Sequence, residues 1–349
     1  MSSDNNMIRL ALDAMGGDNA PACVVRGADI ACGVNPNLEI VFYGDKARIS
    51  PLIAKASHLG RATIVHTVDA VSPDDTASQA VRRGKATSMW MAIASVATGE
   101  TDAVVSAGNT GALMAMSKLQ LRPMTGVTRP AIAAFFPTVG ELVCMLDLGA
   151  NIECDAENLV QFAILGQAFH RSLTGKESPR LGLLNVGEEE QKGHDYLRVA
   201  SRRLADPELD VNYQGFVEGS DITNGQLDVV VTDGFSGNVA LKMAEGISSM
   251  FTRLLRRSLN KSFLSRLGYL FARSALSEMR THIDPRHYNG AVFLGLNGIA
   301  VKSHGGTDRI GFANAINVAL ELVDHGFLPD VSAAIARANT ILERKDDDG

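Results

Sequence analysis

The heptapeptide from Thr232 to Asn238 reads TDGFSGN and combines the residue types that can hold an anion. An apolar run at 227–231 precedes it and helix-forming residues follow from Val239, which predicts a strand, a tight loop and a helix. In an open parallel sheet, ligands bind at the carboxyl ends of strands, where the first N–H groups of the next helix are free. Gly234 and Gly237 would let the backbone approach that ligand closely.

Lys192 and Asn238 are the side chains near such loops with the clearest capacity for chemistry. Lys192 follows a separate predicted strand, and a lysine can neutralise a phosphate. The carboxamide of Asn238 can donate to an oxyanion. Two plainer interpretations stay open, because Lys192 follows three glutamates and could be a solvated surface residue, and Asn238 could be a helix cap. Asp233 could cap the turn, orient Lys192 or contact a substrate.

Four further loops carry glycine beside Asp, Asn, Ser or Thr: 13–18, 106–111, 147–151 and 304–308. Each one alone could be an ordinary turn. Several of them at strand ends are what an anion cradle needs, and we expect them to converge on the heptapeptide. The candidate substrate- or phosphate-binding residues are Asp13, Gly16, Gly17, Asn109, Thr110, Gly111, Asp233, Gly234, Ser236, Gly237, His304 and Gly305.

The elements that must position these residues alternate along the chain between apolar strands and helices rich in Ala and Leu. This alternation predicts an α/β protein with a mostly parallel sheet and right-handed crossovers. We expect one domain over 7–344, built as two lobes, with flexible tails at 1–6 and 345–349. The predicted strands are 8–12, 38–43, 62–65, 103–105, 131–136, 142–146, 181–185, 211–215, 227–231, 292–294 and 300–302.

The composition and the absence of standard motifs narrow the function. The 349 residues are 46% hydrophobic and carry a formal net charge of -6, which does not favour nucleic acid as a partner. The sequence has no GxG triplet, no GxxxxGK[ST], no HExxH and no GxSxG. We therefore expect phosphate to be bound without a nucleotide motif, a cofactor or a metal. The sequence also has no secretory signal and no apolar run of membrane-spanning length, so we expect a cytoplasmic protein with four reduced cysteines.

The segment 247–280 has a distinct composition. Seven basic residues stand against one acid, Glu278, and ten Leu and Phe side chains are interleaved with them. This pattern is typical of an amphipathic helix or helical hairpin at a membrane surface, but also of a helix packed on its own core or on a second subunit. The candidate contact residues for a membrane or a carrier protein are Arg256, Arg257, Lys261, Leu264, Leu267, Leu270 and Phe271.

Seven motifs, in order, resemble the PlsX family of phosphate acyltransferases, and the similarity extends from about residue 8 to residue 344. The motifs are DAMGGDNAP (13–21), SAGNTGALM (106–114), RPAIAAFFPT (129–138), LDLGAN (146–151), LLNVGEEEQKG (183–193), VVVTDGFSGNVALK (229–242) and KSHGGTD (302–308). The segment 247–280 is the part that resembles the family least.

The resemblance implies transfer of a long-chain fatty acyl group from acyl-carrier protein to inorganic phosphate. The product, an acyl phosphate, would be consumed by a membrane glycerol-3-phosphate acyltransferase in phospholipid synthesis. It further implies a three-layer α/β/α fold similar to isocitrate and isopropylmalate dehydrogenases and to phosphotransacetylase, and a homodimer peripherally associated with the membrane surface. We expect the helical segment 247–280 to protrude from this body. The catalytic residues proposed for the family fall on Lys192 and Asn238.

Three other functions stay open from the residues alone. A short-chain phosphotransacetylase would use acyl-CoA as its donor. A dehydrogenase of the same fold would need a nicotinamide site. A scaffold without enzymatic activity would recruit acyl-carrier protein to a membrane through residues 247–280.

Overall fold

The computed structural model describes residues 7–282 and 284–347, with side chains left out at 263–267, 275, 277, 278, 280, 281, 285 and 345–347. The predicted tail at 1–6 therefore lies outside the described residues. The predicted tail at 345–349 is described only as far as Asp347, and the last helix continues to that residue.

Eleven strands form one sheet in the order β3-β2-β1-β4-β11-β10-β5-β6-β9-β7-β8. Each predicted strand is present, with ends that differ from the prediction by two residues at most. The strands are β1 Ile8–Asp13, β2 Leu38–Gly44, β3 Thr63–His66, β4 Ala103–Ser106, β5 Ala131–Phe136, β6 Val143–Leu146, β7 Leu181–Leu184, β8 Tyr213–Val217, β9 Val229–Val231, β10 Ala291–Leu294 and β11 Ile299–Lys302.

Strand directions divide this sheet into two sets. β1 to β5 and β11 run one way, and β6 to β10 run the opposite way, so the sheet is mixed but mostly parallel, as predicted. Consequently the carboxyl ends of β1, β4 and β11 lie at one edge of the sheet, and those of β6, β7 and β9 lie at the other edge. The expectation that all five glycine loops meet at a single edge is therefore wrong. The segments 131–136 and 142–146 predict a hairpin around Gly140, and β5 and β6 do pair antiparallel, so the chain reverses there.

Helices cover both faces of the sheet and complete three layers, as expected. One core lies under α1, α2, α6, α7, α10 and α11, and the other lies under α3, α4, α5 and the first turns of α8. The helices are α1 Ala22–Val34, α2 Lys46–Ile53, α3 Ala77–Arg83, α4 Ser88–Ala97, α5 Thr110–Gln120, α6 Ala156–Thr174, α7 Asp195–Leu204, α8 Gly234–Leu259, α9 Phe263–His282, α10 Arg309–Asp324 and α11 Phe327–Asp347.

The basic amphipathic segment folds as the second part of α8 and most of α9. Gly234 and Gly237, in its first turn, are the residues that α8 buries, so the described side chains beyond that turn are exposed or half-buried. The exposed apolar side chains include Met250, Phe251 and Leu254. Since these two helices bury so little against the sheet, the segment protrudes from the body as expected.

The predicted contact residues of this segment are solvent-accessible wherever their side chains are described. Arg256, Arg257 and Lys261 are exposed, and Leu270 and Phe271 are 63% and 86% exposed. The side chains of the other two predicted contact residues, Leu264 and Leu267, lie outside the described part of the chain. Within that part, no helix is both long and apolar enough to cross a bilayer.

Candidate active site

The heptapeptide TDGFSGN forms the start of a helix and not the predicted tight loop. α8 begins at Gly234, and Asp233 is its N-cap. Asp233 Oδ1 accepts from the backbone N–H of Ser236 at 2.8 Å, and Oδ2 accepts from the Ser236 hydroxyl at 3.0 Å. The structure therefore assigns Asp233 a capping role among the three that the sequence left open. Glycine and asparagine are poor helix formers, so local propensity did not predict this first turn.

Gly234 and Gly237 are needed because another loop packs against this turn. A Cβ at Gly237 would overlap the carbonyl oxygen of Asp147, and one at Gly234 would lie 2.8 Å from Asp147 Oδ2. The two glycines thus allow close approach of the 147–151 loop, and their contact with a ligand stays a prediction. The packing of this loop against them fixes α8 beside the carboxyl end of β6.

Asp147 organises the 147–151 loop, although sequence reasoning did not single it out. Its Oδ1 accepts from the N–H of Ile132 at 2.9 Å, and its Oδ2 accepts from the N–H of Asn151 at 2.6 Å. Burial raises the pKa of the Asp147 carboxyl, and these hydrogen bonds oppose the rise. In the sequence, an aspartate that directly follows an apolar strand and stands two residues before Gly149 is the signal that could have identified it.

Asn238 is the fifth residue of α8, so it is not the helix cap. Its side chain is exposed and lies beside Gly149, where a Cβ would come within 3.6 Å of Asn238 Oδ1. Within the described part of the chain, its carboxamide makes no hydrogen bond. The amide is therefore available to a ligand at this edge of the sheet.

Lys192 is exposed in the loop after β7, the strand next to β9. Its Nζ forms an ion pair with Glu189 Oε2 at 2.7 Å, and its side chain lies against Gly187. The hydrogen bond with Glu189 raises the pKa of Lys192. Among the described residues no hydrogen bond or ion pair joins Lys192 to Asn238, so both occupy the same edge of the sheet without direct contact.

At the opposite edge, Asp13 ends β1 and Ser106 ends the neighbouring strand β4. Asp13 is 1% exposed, its Oδ1 accepts from the Ser88 hydroxyl at 2.6 Å and its Oδ2 from the Ser106 hydroxyl at 2.7 Å. Burial raises the pKa of this carboxyl. Gly16 closes over it, since a Cβ there would lie 2.5 Å from Asp13 Oδ2. With both oxygens facing protein donors, Asp13 is placed to orient the two serines.

The other predicted residues at this edge form the rims of two loops. Asn109 caps α5, its Oδ1 accepting from Ala112 N at 3.0 Å, and the following residues Thr110 and Gly111 are exposed. His304 is exposed, and its Nδ1 accepts from the N–H of Gly306 at 3.1 Å. Gly17 has a φ of +97°, and the carbonyl of Gly305 accepts from the N–H of Asp18 at 2.9 Å, which joins the first and the last of these loops.

Lys302, the last residue of β11, is a functional candidate that sequence reasoning missed. It pairs in register with Ser106, which in turn pairs with Asp13. Burial and, to a smaller extent, the nearby charge of Lys242 together lower the pKa of Lys302 to about 8. A lysine that ends an apolar strand, next to a glycine loop, is the signal that could have identified it.

α8 connects the two edges on one face of the sheet. Ala11, Val104 and Ala300 belong to the core on this face, so the residues two positions further on lie on the same face, because side chains alternate along a strand. Those residues are Asp13, Ser106 and Lys302, while Asp147 follows the end of β6 and lies against Gly234 and Gly237 of α8. α8 packs on the same core, its first turn lies against the Asp147 loop, and the charge of Lys242 further along it acts on Lys302, so this helix links the two groups of polar residues.

The four cysteines are free thiols, as expected. Burial raises the pKa of Cys23 and Cys32 to about 11 and that of Cys154 to about 12, so none of these three is ionised at neutral pH. Among the described residues, no three His, Cys, Asp or Glu side chains group together as a metal site would require.

The chain matches a family model described as "Fatty acid synthesis protein" over residues 8–329, which include all the loops described above. It is 54% identical over 335 residues to a phosphate acyltransferase of Rhodospirillum centenum, with 96% of this chain and 94% of the relative covered. It is 51% identical over 321 residues to a phosphate acyltransferase of Paramagnetospirillum magneticum, with 92% of each chain covered.

Solved structures of the same fold have much lower identity. A phosphotransacetylase from Streptococcus pyogenes matches with a TM-score of 0.62 at 17% identity, covering 92% of this chain and 95% of that one. A 4-hydroxythreonine-4-phosphate dehydrogenase from Klebsiella pneumoniae matches with a TM-score of 0.50 at 14% identity, covering 93% and 99%. These similarities concern the fold alone and confirm the predicted three-layer architecture of the isocitrate dehydrogenase type.

Proposed function

Because this chain belongs to the phosphate acyltransferase family of fatty acid and phospholipid synthesis, we propose that it transfers a long-chain acyl group from acyl-carrier protein to inorganic phosphate. The observation that carries the proposal is the extent of the match, which covers 96% of the chain at 54% identity. The matched region includes both edges of the site, from Asp13 to Lys302.

The reaction needs no nucleophile from the protein. A phosphate oxygen attacks the thioester carbonyl, the new C–O bond forms, the C–S bond breaks and the carrier's thiolate leaves. Two tasks remain for the enzyme, which are to hold an anionic nucleophile against the carbonyl and to stabilise the oxyanion of the tetrahedral intermediate.

Asn238 performs the second task in this proposal. Its exposed carboxamide has no partner among the described residues, so it can donate an N–H to the carbonyl oxygen without first breaking another contact. A donor in this role contributes roughly 3 kcal/mol of transition-state stabilisation.

Lys192 offsets the negative charge that builds up as phosphate attacks. Its present partner is Glu189, and both side chains are about half exposed, so the ion pair is weak and can be exchanged for a substrate. The remaining residues predicted to bind substrate form the rim of the site in this proposal. Asp13 contributes by orienting the hydroxyls of Ser88 and Ser106, which donate to it.

The helices α8 and α9 supply the contact surface for the other partners. Acyl-carrier proteins are acidic, and the exposed Arg256, Arg257 and Lys261 complement such a surface. The exposed Leu270 and Phe271 suit the edge of a bilayer. We propose a homodimeric cytoplasmic enzyme that works at the membrane surface, where a glycerol-3-phosphate acyltransferase would receive the labile acyl phosphate.

The test is mass detection of acyl phosphate after the protein is mixed with palmitoyl-acyl-carrier protein and phosphate. The expected result is palmitoyl phosphate together with stoichiometric free carrier thiol. Preference for acetyl-CoA over the long-chain carrier substrate would identify a short-chain phosphotransacetylase instead. Turnover seen only with NAD(P), followed at 340 nm, would identify a dehydrogenase, and binding of carrier and vesicles with no turnover would identify a scaffold.

A further inference from the structure

Lys302 is a half-buried lysine, and no carboxylate among the described side chains neutralises it by direct contact. Within the described residues its Nζ donates to the backbone carbonyl of Ser303 and takes part in no ion pair. The neighbouring Asp13 has both carboxylate oxygens occupied by Ser88 and Ser106. A lysine amine in these surroundings has spare donors and an incompletely compensated charge.

A second lysine lies within electrostatic range of the first. Lys242 follows Asn238 by four residues on α8, and its charge acts on Lys302 strongly enough to lower the pKa of Lys302. Two ammonium groups repel each other, so an anion placed between them would relieve an unfavourable interaction that the ligand-free chain retains. The pairing of Lys242 Nζ with Glu245 at 2.8 Å is exposed and can be exchanged.

The surroundings of Lys302 suit a compact anion. The first N–H groups of α5, at Thr110 and Gly111, are exposed beside β11 and have no backbone partner in the described part of the chain. Gly305 and Gly306 form the loop that follows Lys302, and neither carries a side chain that would fill the space. Together with the two lysines, these backbone N–H groups can donate hydrogen bonds to an anion as small as phosphate.

We propose that Lys302, assisted by Lys242, binds the inorganic phosphate that attacks the thioester. This inference rests on the proposed function and adds the residue that holds the nucleophile. Because residues four apart on a helix are separated by about 6 Å along its axis, phosphate at Lys242 lies next to a carbonyl held by Asn238. Lys302 thereby neutralises part of the phosphate charge before the C–O bond forms.

The proposal also predicts a pH dependence, since Lys302 binds phosphate only while it is protonated. The charged groups that act on it are Lys242 on α8, Asp13 on β1 and Asp18 in the loop after β1. In the free enzyme, affinity for phosphate falls as pH rises through about 8, the pKa of Lys302. Phosphate itself is already dianionic there, so its own titration does not produce the change.

The experiment measures phosphate affinity with and without an acyl donor. The wild-type chain is compared with Lys302→Met. We expect the KM for phosphate to be about tenfold to a hundredfold higher in the variant, with the KM for palmitoyl-acyl-carrier protein unchanged. Phosphate-dependent stabilisation in thermal unfolding, against chloride at equal ionic strength, should be lost in parallel. Lys302→Arg should retain phosphate binding and move the loss of affinity to higher pH.

Lys118→Met is the matched control, because Lys118 is an exposed lysine on α5 outside the site. An unchanged KM for phosphate in Lys302→Met, or an equal rise in Lys118→Met, would overturn the proposal. A rise in the KM for the acyl donor alone would also overturn it, because Lys302 would then contact the donor. Since thermal stabilisation by phosphate needs no acyl donor, it tests this site even if wild-type protein forms no acyl phosphate.

Discussion

Asp13 and Ser106 end two neighbouring parallel strands in register, and the Ser106 hydroxyl donates to Asp13 Oδ2 at 2.7 Å. The Asp13 carboxyl is 1% exposed and forms no ion pair with a described side chain, so it depends on such donors. The same register places Lys302 on the other side of Ser106. Three polar strand ends thus form one row at the edge of the sheet.

Ser106→Ala should destabilise the protein by about 1–3 kcal/mol at pH 7, because it leaves the buried Asp13 Oδ2 without the Ser106 donor. The folded-state pKa of Asp13 is already raised by burial, so ionisation of Asp13 costs stability as pH rises from its unfolded to its folded pKa. Loss of the Ser106 hydrogen bond raises the folded-state pKa of Asp13 further, so the variant loses more stability than wild type as pH rises. The difference in stability between variant and wild type should therefore shrink as pH falls. Urea denaturation at several pH values measures it, and a loss independent of pH would contradict this account.

Gly237→Ala should destabilise the fold by at least about 2–3 kcal/mol, because its Cβ would overlap the Asp147 carbonyl. Gly246→Ala is the matched control on the same helix, since no atom lies within 4 Å of a Cβ there. The control should be about 0.5–1 kcal/mol more stable than wild type, as alanine favours helix. Equal effects at both positions in urea denaturation would show that the 147–151 loop does not pack as described.

Asn238→Ala should lower kcat for acyl phosphate formation by about 100- to 1000-fold and leave the KM for phosphate nearly unchanged. The reason is that an oxyanion donor acts mainly in the transition state. Circular dichroism should confirm normal folding, because the Asn238 side chain is exposed. Asn260→Ala, at the end of α8, is the control and should retain wild-type kcat; a wild-type rate in Asn238→Ala would refute the assignment.

Lys192→Met should lower kcat by about tenfold or more, since an ammonium that offsets phosphate charge during attack is lost. Glu189→Gln, which removes the partner of Lys192, should retain activity because it leaves the lysine free for the substrate. Steady-state assays with palmitoyl-acyl-carrier protein compare the two variants. If Glu189→Gln loses as much activity as Lys192→Met, the ion pair itself is what matters.

Leu270→Glu combined with Phe271→Glu should weaken binding to anionic vesicles by at least about tenfold, because two exposed apolar side chains no longer enter the bilayer. Co-sedimentation with phosphatidylglycerol vesicles provides the measurement. Val139→Glu is the control, since Val139 is 85% exposed but belongs to the loop between β5 and β6. Undiminished vesicle binding by the double variant would assign these residues to a subunit contact.

The hydrophobic periodicity and the glycine-containing loops of the sequence were sufficient to predict the strands and many residues of the candidate site. Apolar runs identified the central strands because these are buried on both faces of the sheet, as in β4, β6 and β9. The position of Lys192 relative to Asn238 in space could not be predicted from local pattern. Their loops follow adjacent strands, β7 and β9, which are far apart in the sequence.

The amino-acid sequence by itself determined the fold class, the family and the two candidate catalytic residues, because these depend on motif order and on local periodicity. Tertiary structure decided that the glycine loops divide between two edges, since strand direction depends on pairings between distant segments. It also decided that α8 begins within TDGFSGN, at Gly234. The glycines stand in this first turn because the 147–151 loop leaves no space for a Cβ there. Finally it identified Lys302, whose pKa is lowered by burial and by the charge of Lys242, since neither its burial nor its distance from Lys242 can be read from a single stretch of chain.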